Sequence, residues 1–197
     1  QGQFQLANHI IHDTKKYGSL TVSDIIALSS NIGAVKIGQK LGYKRFYDYL
    51  KGFGFGKKTS TNLIGERNGF IRPYKKAKII DQATIFFGQG MTASSLQLVV
   101  AMAAIANGGK LMRPFVVKAV TDQNGRRVKE NHPLVVRRVL TPKTAKKVTR
   151  VLEAVVGEGG TGPLAAIQGY KVAGKTGTSQ KVDPRTRRYS KKNYVAI

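Results

Sequence analysis

The stretch Gly169–Gln180, GYKVAGKTGTSQ, decides how the rest of the chain is interpreted. From Gly169 to Thr176 it satisfies the phosphate-binding loop pattern G-x-x-x-x-G-K-[ST]. Such a loop requires a buried strand before its first glycine and a helix that begins near its lysine. The preceding GPLAAIQ has no β-branched run, and Gly177 followed by Pro184 leaves no room for an apolar helix. The surroundings therefore argue against a nucleotide site.

The chain is strongly basic but otherwise has the composition of a globular protein. Its 197 residues are 41% hydrophobic and include 34 lysines and arginines against 10 acidic residues, for a formal net charge of +24. This length suffices for one domain with a sizeable core. The charge favours an anionic partner, or else a solvated basic surface. There is no cysteine, and no apolar run approaches the roughly 20 residues that span a bilayer.

Helical patterns occupy the first part of the chain. Ser23–Asp24 can cap a short helix, and the apolar spacing after Asn31 predicts a buried helix that ends at Gly42. A further short helix is predicted over Tyr43–Leu50. The segment Thr92–Asn107 is apolar nearly all round, so we expect a buried helix with Thr92 as its N-cap.

Strand patterns are concentrated in the second half. The sequence from Arg113 to Val128 predicts a hairpin, and Thr141–Pro142 opens a helix that runs to Val156. Short strands are predicted from Tyr170 to Ala173 and onward, and over Tyr194–Ala196. With no internal repeat and no obvious domain boundary, the pattern indicates an α+β or mixed α/β fold.

Two short motifs and their surroundings resemble a known family. Ser29-Ser30-Asn31 fits an S-x-N element, and Lys175-Thr176-Gly177-Thr178 fits K-T-G-T. The intervening sequences LSSNIGAVKIGQKLG, FGFG, LIGERNG, FFGQGMTASSLQLVVAMAAIANGG and RPFVV are also similar to class B penicillin-binding proteins. The resemblance covers essentially the whole chain, and LIGERNG with VAGKTGTSQK resembles the division- and sporulation-type branch.

This resemblance implies a transpeptidase fold of the penicillin-binding protein and serine β-lactamase type. It is an α/β (α+β) fold, with a helical subdomain and part of an antiparallel sheet that we expect to be incomplete at both ends. Residues 1–197 would then form part of one transpeptidase domain. No cofactor is implied, and His9, His12 and His132 match no metal-binding spacing.

The resemblance also implies an acyl-transfer site. Ser29 would relay protons between an attacking serine, Lys175 and the leaving amine, while Lys175 supplies positive charge beside Ser29. Asn31 would donate its side-chain amide to the peptide carbonyl of the substrate. Together these three residues form the expected catalytic set.

The K-T-G-T residues would form the substrate-binding wall of that site. Thr176 and Thr178 hydroxyls would hold the terminal carboxylate of the substrate, and Gly177 would let the substrate backbone approach the strand edge. The backbone N–H of Thr178 would form half of an oxyanion hole.

One element of the family pattern is missing from the sequence. The nucleophile of the family lies in an S-x-x-K element upstream of S-x-N, and no serine here is followed three positions later by lysine. We therefore expect the S-x-x-K segment and the C-terminal strands and helix to lie outside this chain. The chain alone is expected to show no turnover and to form no β-lactam adduct.

The resemblance further implies partners and location. The expected ligands are D-Ala-D-Ala stem peptides of peptidoglycan and β-lactams, and the expected partners are other parts of the same protein and membrane proteins of division or sporulation, not nucleic acid. The domain would face the outside of the cytoplasmic membrane of a bacterium, anchored elsewhere in the protein. Two alternatives stay open: a hydrolase of the serine β-lactamase type, and a basic, non-catalytic module that binds anionic wall polymer or membrane.

Overall fold

The computed structural model describes residues 2–61, 63–186 and 189–196. Its helices are α1 (Val22–Ala27), α2 (Asn31–Leu41), α3 (Tyr43–Gly52), α4 (Ile79–Phe86), α5 (Ser95–Ala106) and α6 (Pro142–Val156). Its strands are β1 (Gln3–Leu6), β2 (His9–His12), β3 (Lys110–Arg113), β4 (Ala119–Thr121), β5 (Arg127–Glu130), β6 (Leu134–Arg138), β7 (Thr178–Val182) and β8 (Tyr189–Ala196). Short 3-10 turns cover Tyr74–Lys76 and Pro163–Ala165.

The chain divides into two compact units. The first comprises the segment up to Tyr43, the segment Arg72–Gly90 and the chain from Thr149 onward. The second comprises Lys44–Ile71 and Met91–Val148.

The first unit packs helix α2 against the β1–β2 hairpin and helix α4. Ile11, Val35 and Ala83 form its buried core cluster, with partly buried side chains such as Phe86 around it. A Cβ atom at Gly38 would lie 2.2 Å from the ring of Phe86, so α2 and α4 approach each other at a glycine. Helix α2 ends at Gly42, as predicted.

The second unit is built on α5 and two antiparallel strand pairs. Val100, Ala104 and Leu111 form its buried core cluster, packed against Phe53, Leu96 and Val139. In the pair β3–β6, Leu111 lies opposite Arg137. The predicted hairpin is confirmed as the pair β4–β5, with the turn at Asp122–Gly125.

Two predicted helix starts were wrong by a few residues. Thr92 does not cap α5, because its backbone exchanges hydrogen bonds with Phe70; Ser94 is the N-cap instead, in a capping box with Gln97. At α1, Thr21 is the N-cap and Asp24 the capping-box partner. The predicted burial of α5 holds for one side only, since Val99 is 63% exposed.

The end of the chain folds as the hairpin β7–β8. Thr178 lies opposite Ala196 and Val182 opposite Tyr189. The strand predicted from Tyr170 to Ala173 is absent: the chain first turns, and residues 171–177 carry no regular secondary structure. The register explains this, since no described residue of β8 lies opposite the segment before Thr178.

Helix α6 has the predicted bounds. Thr141 accepts a hydrogen bond from the backbone N–H of Thr144, and Pro142 is the first helical residue. In the described part of the chain, no helix is both long and apolar enough to cross a membrane.

Candidate active site

Ser29 lies in the first unit, directly after α1, in a backbone conformation that glycine usually adopts. Its N–H bonds to the carbonyl of Ile26, and the N–H of Ser30 bonds to the carbonyl of Ile25. These two bonds form a Schellman motif, in which the residue at the position of Ser29 has a positive φ. The φ of Ser29 is 56°. The exposed Ser29 side chain is thus fixed at a sharp corner between α1 and α2.

Ser30 and Asp13 together close the N-terminus of α2. Ser30 is buried; its hydroxyl accepts from the N–H of Gly33 at 2.9 Å and donates to the Asp13 carboxylate at 2.7 Å. Asp13 also accepts from the N–H of Ile32 at 3.0 Å. A carboxylate at this end of a helix meets unpaired N–H groups and the positive end of the helix dipole. The corner that carries Ser29 is therefore stabilised by hydrogen bonds at the end of α1 and at the start of α2.

Asn31 is the first residue of α2, and its side chain is half-buried. Its amide nitrogen donates to the carbonyl of His12 at 3.0 Å. A side-chain amide has two N–H donors and one carbonyl acceptor, and among the described residues the Asn31 amide uses only one of these donors in a hydrogen bond. The contact with His12 sets the direction in which the amide points.

Lys175 lies next to Ser29, although 146 residues separate them in the chain. Its Nζ atom donates to Oγ of Ser29 at 2.9 Å and to the carbonyl of Thr176 at 2.8 Å. Much of the side chain is exposed, but surrounding protein removes water from part of the ammonium group. This desolvation disfavours the charged form and lowers the pKa of Lys175 below its ordinary value.

Thr176 is joined to the loop that follows α6. Its hydroxyl lies 2.8 Å from the hydroxyl of Thr161, and the N–H of Thr161 donates to the carbonyl of Ala27 at 3.2 Å. A Cβ atom at Gly162 would lie 3.3 Å from the methyl group of Thr176, so the loop passes close to it. Thr161 thus connects the end of α1 with the K-T-G segment.

The structure brings the two predicted motifs together at Ser29 and Lys175, and the other four predicted residues follow these two closely in the chain. Ser29 and Lys175 are in direct contact, and Asn31 starts the helix two residues after Ser29. Thr176 follows Lys175, Gly177 is exposed, and Thr178 is the exposed first residue of β7. All six lie within the first unit.

Asp13 and Thr161 were missed by the sequence interpretation. Asp13 precedes α2 by 18 residues in a stretch without a motif, so only the fold brings it to Ser30. Thr161 lies in GEGGTG, the glycine-rich run that follows the predicted end of the helix at Val156. Its one signal was a hydroxyl within a glycine-rich run, which is compatible with many loops.

The chemistry of the pair Ser29–Lys175 is proton transfer. While Lys175 is an ammonium group it donates to Oγ of Ser29, which leaves the Ser29 O–H free to donate elsewhere. A lysine with a lowered pKa is also neutral, and able to accept a proton, for a larger fraction of the time. The pair can therefore pass a proton in either direction.

Comparison with known proteins places this geometry in context. Residues 1–197 match the family described as penicillin binding protein transpeptidase domain. The chain is 38% identical over 180 residues to stage V sporulation protein D of Bacillus subtilis and 33% identical over 193 residues to the peptidoglycan D,D-transpeptidase FtsI of Escherichia coli. These alignments cover 91% and 98% of this chain but 27% and 31% of those proteins.

Solved structures share the fold. Penicillin binding protein 3 of Mycobacterium tuberculosis complexed with ampicillin matches 99% of this chain and 45% of that chain, with a TM-score of 0.93 and 34% identity. The transpeptidase domain of Burkholderia pseudomallei penicillin-binding protein 3 matches 99% of this chain and 56% of that chain, with a TM-score of 0.85 and 36% identity. The mixed α and β fold class expected from the sequence is confirmed.

Proposed function

This chain belongs to the penicillin binding protein transpeptidase domain family, which confirms the resemblance drawn from its motifs, and from that premise we propose its activity. The whole protein to which this chain belongs is a serine D,D-transpeptidase. It cross-links peptidoglycan stem peptides through an acyl-enzyme and is a target of β-lactams. Because the chain spans less than a third of the curated relatives named above, the activity is assigned to the whole protein.

The contact between Lys175 and Ser29 is the observation that carries this proposal. A 2.9 Å hydrogen bond joins two motifs that lie 146 residues apart. Acyl transfer requires a proton route from the attacking hydroxyl to the leaving amine. Ser29 provides a hydroxyl on that route, and Lys175 provides the charge that keeps it polarised. A general acid–base step of this kind contributes typically about 10²- to 10⁴-fold to the rate.

The remaining residues bind the substrate. The free N–H of the Asn31 amide donates to the peptide carbonyl of the stem peptide. Thr176 and Thr178 hold its terminal carboxylate, and Gly177 lets its backbone approach the edge of β7. The N–H of Thr178 supplies one donor of the oxyanion hole.

Thr161 prepares Thr176 for this role. One of the two hydroxyls donates to the other across 2.8 Å. If Thr161 donates, the hydroxyl proton of Thr176 is free to point at the substrate carboxylate. Thr161 is therefore a positioning residue, since it acts through Thr176.

The chain alone is inactive in this proposal. No serine of the printed sequence has a lysine three positions later, so the S-x-x-K nucleophile is supplied from elsewhere in the protein. The domain works in the bacterial cell envelope, outside the cytoplasmic membrane, and its protein partners are membrane proteins of division or sporulation. Intact-mass analysis of the chain after exposure to penicillin should show no added mass. A stable covalent adduct on this chain alone would contradict this statement.

Labelling with a fluorescent penicillin tests the site in the whole protein. We expect Ser29→Ala and Lys175→Met to lower the second-order labelling rate by about 10² or more, because each removes a member of the proton route. Ser23→Ala and Lys171→Met are matched controls, since they make the same changes at neighbouring positions outside the site. Labelling of the site variants at the rate of the controls would refute the assignment.

A further inference from the structure

A basic cleft lies in the second unit and shares no residue with the candidate active site. Its volume is about 220 Å³. Five cationic residues are among those that line it: Lys51, Lys57, Lys58, Arg113 and Arg137. No aspartate or glutamate is among its lining residues in the described part of the chain.

The floor of the cleft is apolar. Phe53, Val100 and Leu111, which line it, also belong to the core cluster of this unit or pack against it. An apolar floor with a charged rim suits an amphipathic ligand, whose charged group stays at the rim while its carbon chain covers the floor. A purely solvated basic surface would lack such a floor.

The two arginines come from neighbouring strands. Arg137 of β6 lies opposite Leu111 of β3, and Arg113 lies two residues further along β3. The register of the pair shifts between Leu111 and Met112, and both arginines line the same cleft, where their long side chains can reach one ligand. Arg137 donates one N–H to the carbonyl of Lys51 at 3.5 Å. A guanidinium group has five N–H donors, so Arg137 retains the capacity to bind an anion.

The loop that carries Lys57 and Lys58 is hydrogen-bonded to the buried side chain of Gln97. Gln97 is fully buried, and its amide nitrogen donates to the carbonyl of Lys57 at 2.7 Å and to that of Asn68 at 2.8 Å. Its oxygen accepts from the N–H of Ser94. Because Gln97 ties the loop to the start of α5, the backbone beneath Lys57 and Lys58 needs no rearrangement on binding.

The positive charge at the cleft is only partly compensated. The ion pairs among the described residues involve other cations, namely Lys44, Arg72 and Arg127. Glu66 is a carboxylate in contact with residues of the rim: it accepts from the N–H of Thr59 and interacts with the charge of Lys58. One carboxylate against five cations leaves a net positive potential, which attracts an anion.

We propose that this cleft binds a phosphate ester. Its phosphate group lies between the arginine pair and the loop lysines, and its carbon chain lies on Phe53 and Leu111. A phosphate presents several acceptor oxygens in different directions, which suits donors that come from two strands and a loop. A carboxylate, with two oxygens in one plane, is satisfied by a single arginine fork.

Calorimetric titration of the whole protein tests the site. The soluble probe is glycerol 3-phosphate, and the lipid probe is vesicles of an equal mixture of phosphatidylglycerol and phosphatidylcholine. We expect Arg113→Gln with Arg137→Gln to weaken binding by about ten-fold or more, because hydrogen bonds to charged groups are lost. The control pair is Arg126→Gln with Lys129→Gln, which removes the same charge from exposed positions of the β4–β5 hairpin that do not line the cleft.

The outcomes separate the sources of the phosphate. Saturable binding of glycerol 3-phosphate that only the cleft variant loses assigns a soluble ester; the same dependence with vesicles alone assigns a lipid. If the arginine variant does not fold, Lys57→Gln with Lys58→Gln, at exposed loop positions, replaces it with the same expectation. Equal losses in cleft and control pairs, or no saturable binding of either probe, overturn the proposal. Its failure would leave the transpeptidase assignment untouched, since no residue is shared.

Discussion

At Ser29 the chain accepts a backbone conformation that glycine would adopt at lower cost. A residue other than glycine with φ near +57° pays roughly 1–2 kcal/mol, and Ser29 has a φ of 56°. Strain of this kind persists where the surrounding structure enforces it and is concentrated at functional sites. Here the Schellman motif sets the backbone, and the hydroxyl accepts a hydrogen bond from Lys175, the contact on which our proposed proton route depends. Stability and function therefore make opposite demands on this residue.

We expect Ser29→Gly to raise the free energy of unfolding by about 0.5–1 kcal/mol relative to Ser29→Ala, after allowance for the greater freedom of glycine in the unfolded chain. Both variants lose the hydroxyl, so the comparison isolates the backbone strain. Urea unfolding followed by circular dichroism measures the difference, and both variants should label poorly with penicillin. If Ser29→Gly is no more stable than Ser29→Ala, the positive φ carries no cost.

The lowered pKa of Lys175 predicts a distinct titration. Because desolvation disfavours its charged form, Lys175 in the folded protein should lose its proton at a lower pH than it does in the unfolded chain. The folded chain then binds fewer protons than the unfolded chain between the two pKa values, so the contribution of Lys175 to stability increases with pH through that window. NMR titration of the lysine Cε signals measures this, with Lys175→Arg to assign the signal. A Lys175 signal that titrates at the same pH in the folded and the urea-unfolded protein would contradict the prediction.

At the scale of elements, the N-terminus of α2 depends on a buried hydroxyl. Ser30→Ala removes the acceptor for the N–H of Gly33 and the donor to Asp13. We expect a loss of about 1–2 kcal/mol in the free energy of unfolding, since an N-cap is lost and a carboxylate loses a partner. Ser23→Ala, the same change inside neighbouring α1, should alter stability by less than about 0.5 kcal/mol. Equal effects of the two substitutions would show that the cap is not decisive.

Elements with local signals were predictable from the sequence. The end of α2 at Gly42 and the start of α6 at Thr141–Pro142 depend on residues within one turn of the helix, and both predictions were confirmed. The start of α5 was placed too early, because Thr92 has a good capping side chain but a long-range backbone partner, Phe70. A capping preference of about 1 kcal/mol cannot reveal such a competitor in advance.

The site divides in the same way. The motifs that contain Ser29 and Lys175 were visible because their residue types and order are specific. Asp13 supports them through hydrogen bonds with Ser30 and Ile32, and Thr161 through its hydroxyl contact with Thr176. These contacts form only when distant segments fold together. Neither residue has a local pattern, so the sequence could indicate the reacting groups but not the groups that position them.

At the scale of the whole molecule, the charge is the dominant property. With 34 basic and 10 acidic residues, at least 24 basic side chains have no acidic residue to pair with one to one. In our two proposals, the site in the first unit uses an unneutralised cation to polarise a hydroxyl, and the cleft in the second unit uses several to bind an anion. Because these like charges repel one another, the high net charge destabilises the compact state.

We therefore expect the stability of this protein to increase with salt. Raising NaCl from about 20 mM to about 500 mM shortens the screening length several-fold and weakens the repulsion more in the folded state, where the charges are closer. The midpoint of urea unfolding should rise by roughly 0.5 M, which corresponds to about 1 kcal/mol at ordinary slopes; urea is uncharged and leaves the ionic strength unchanged. Sorbitol at equal osmolality is the control and should give a smaller shift. Sodium phosphate at equal ionic strength should stabilise the protein beyond NaCl if the cleft binds phosphate in the folded state. A midpoint that falls or stays constant in NaCl would show that the positive charges are too well separated to repel one another.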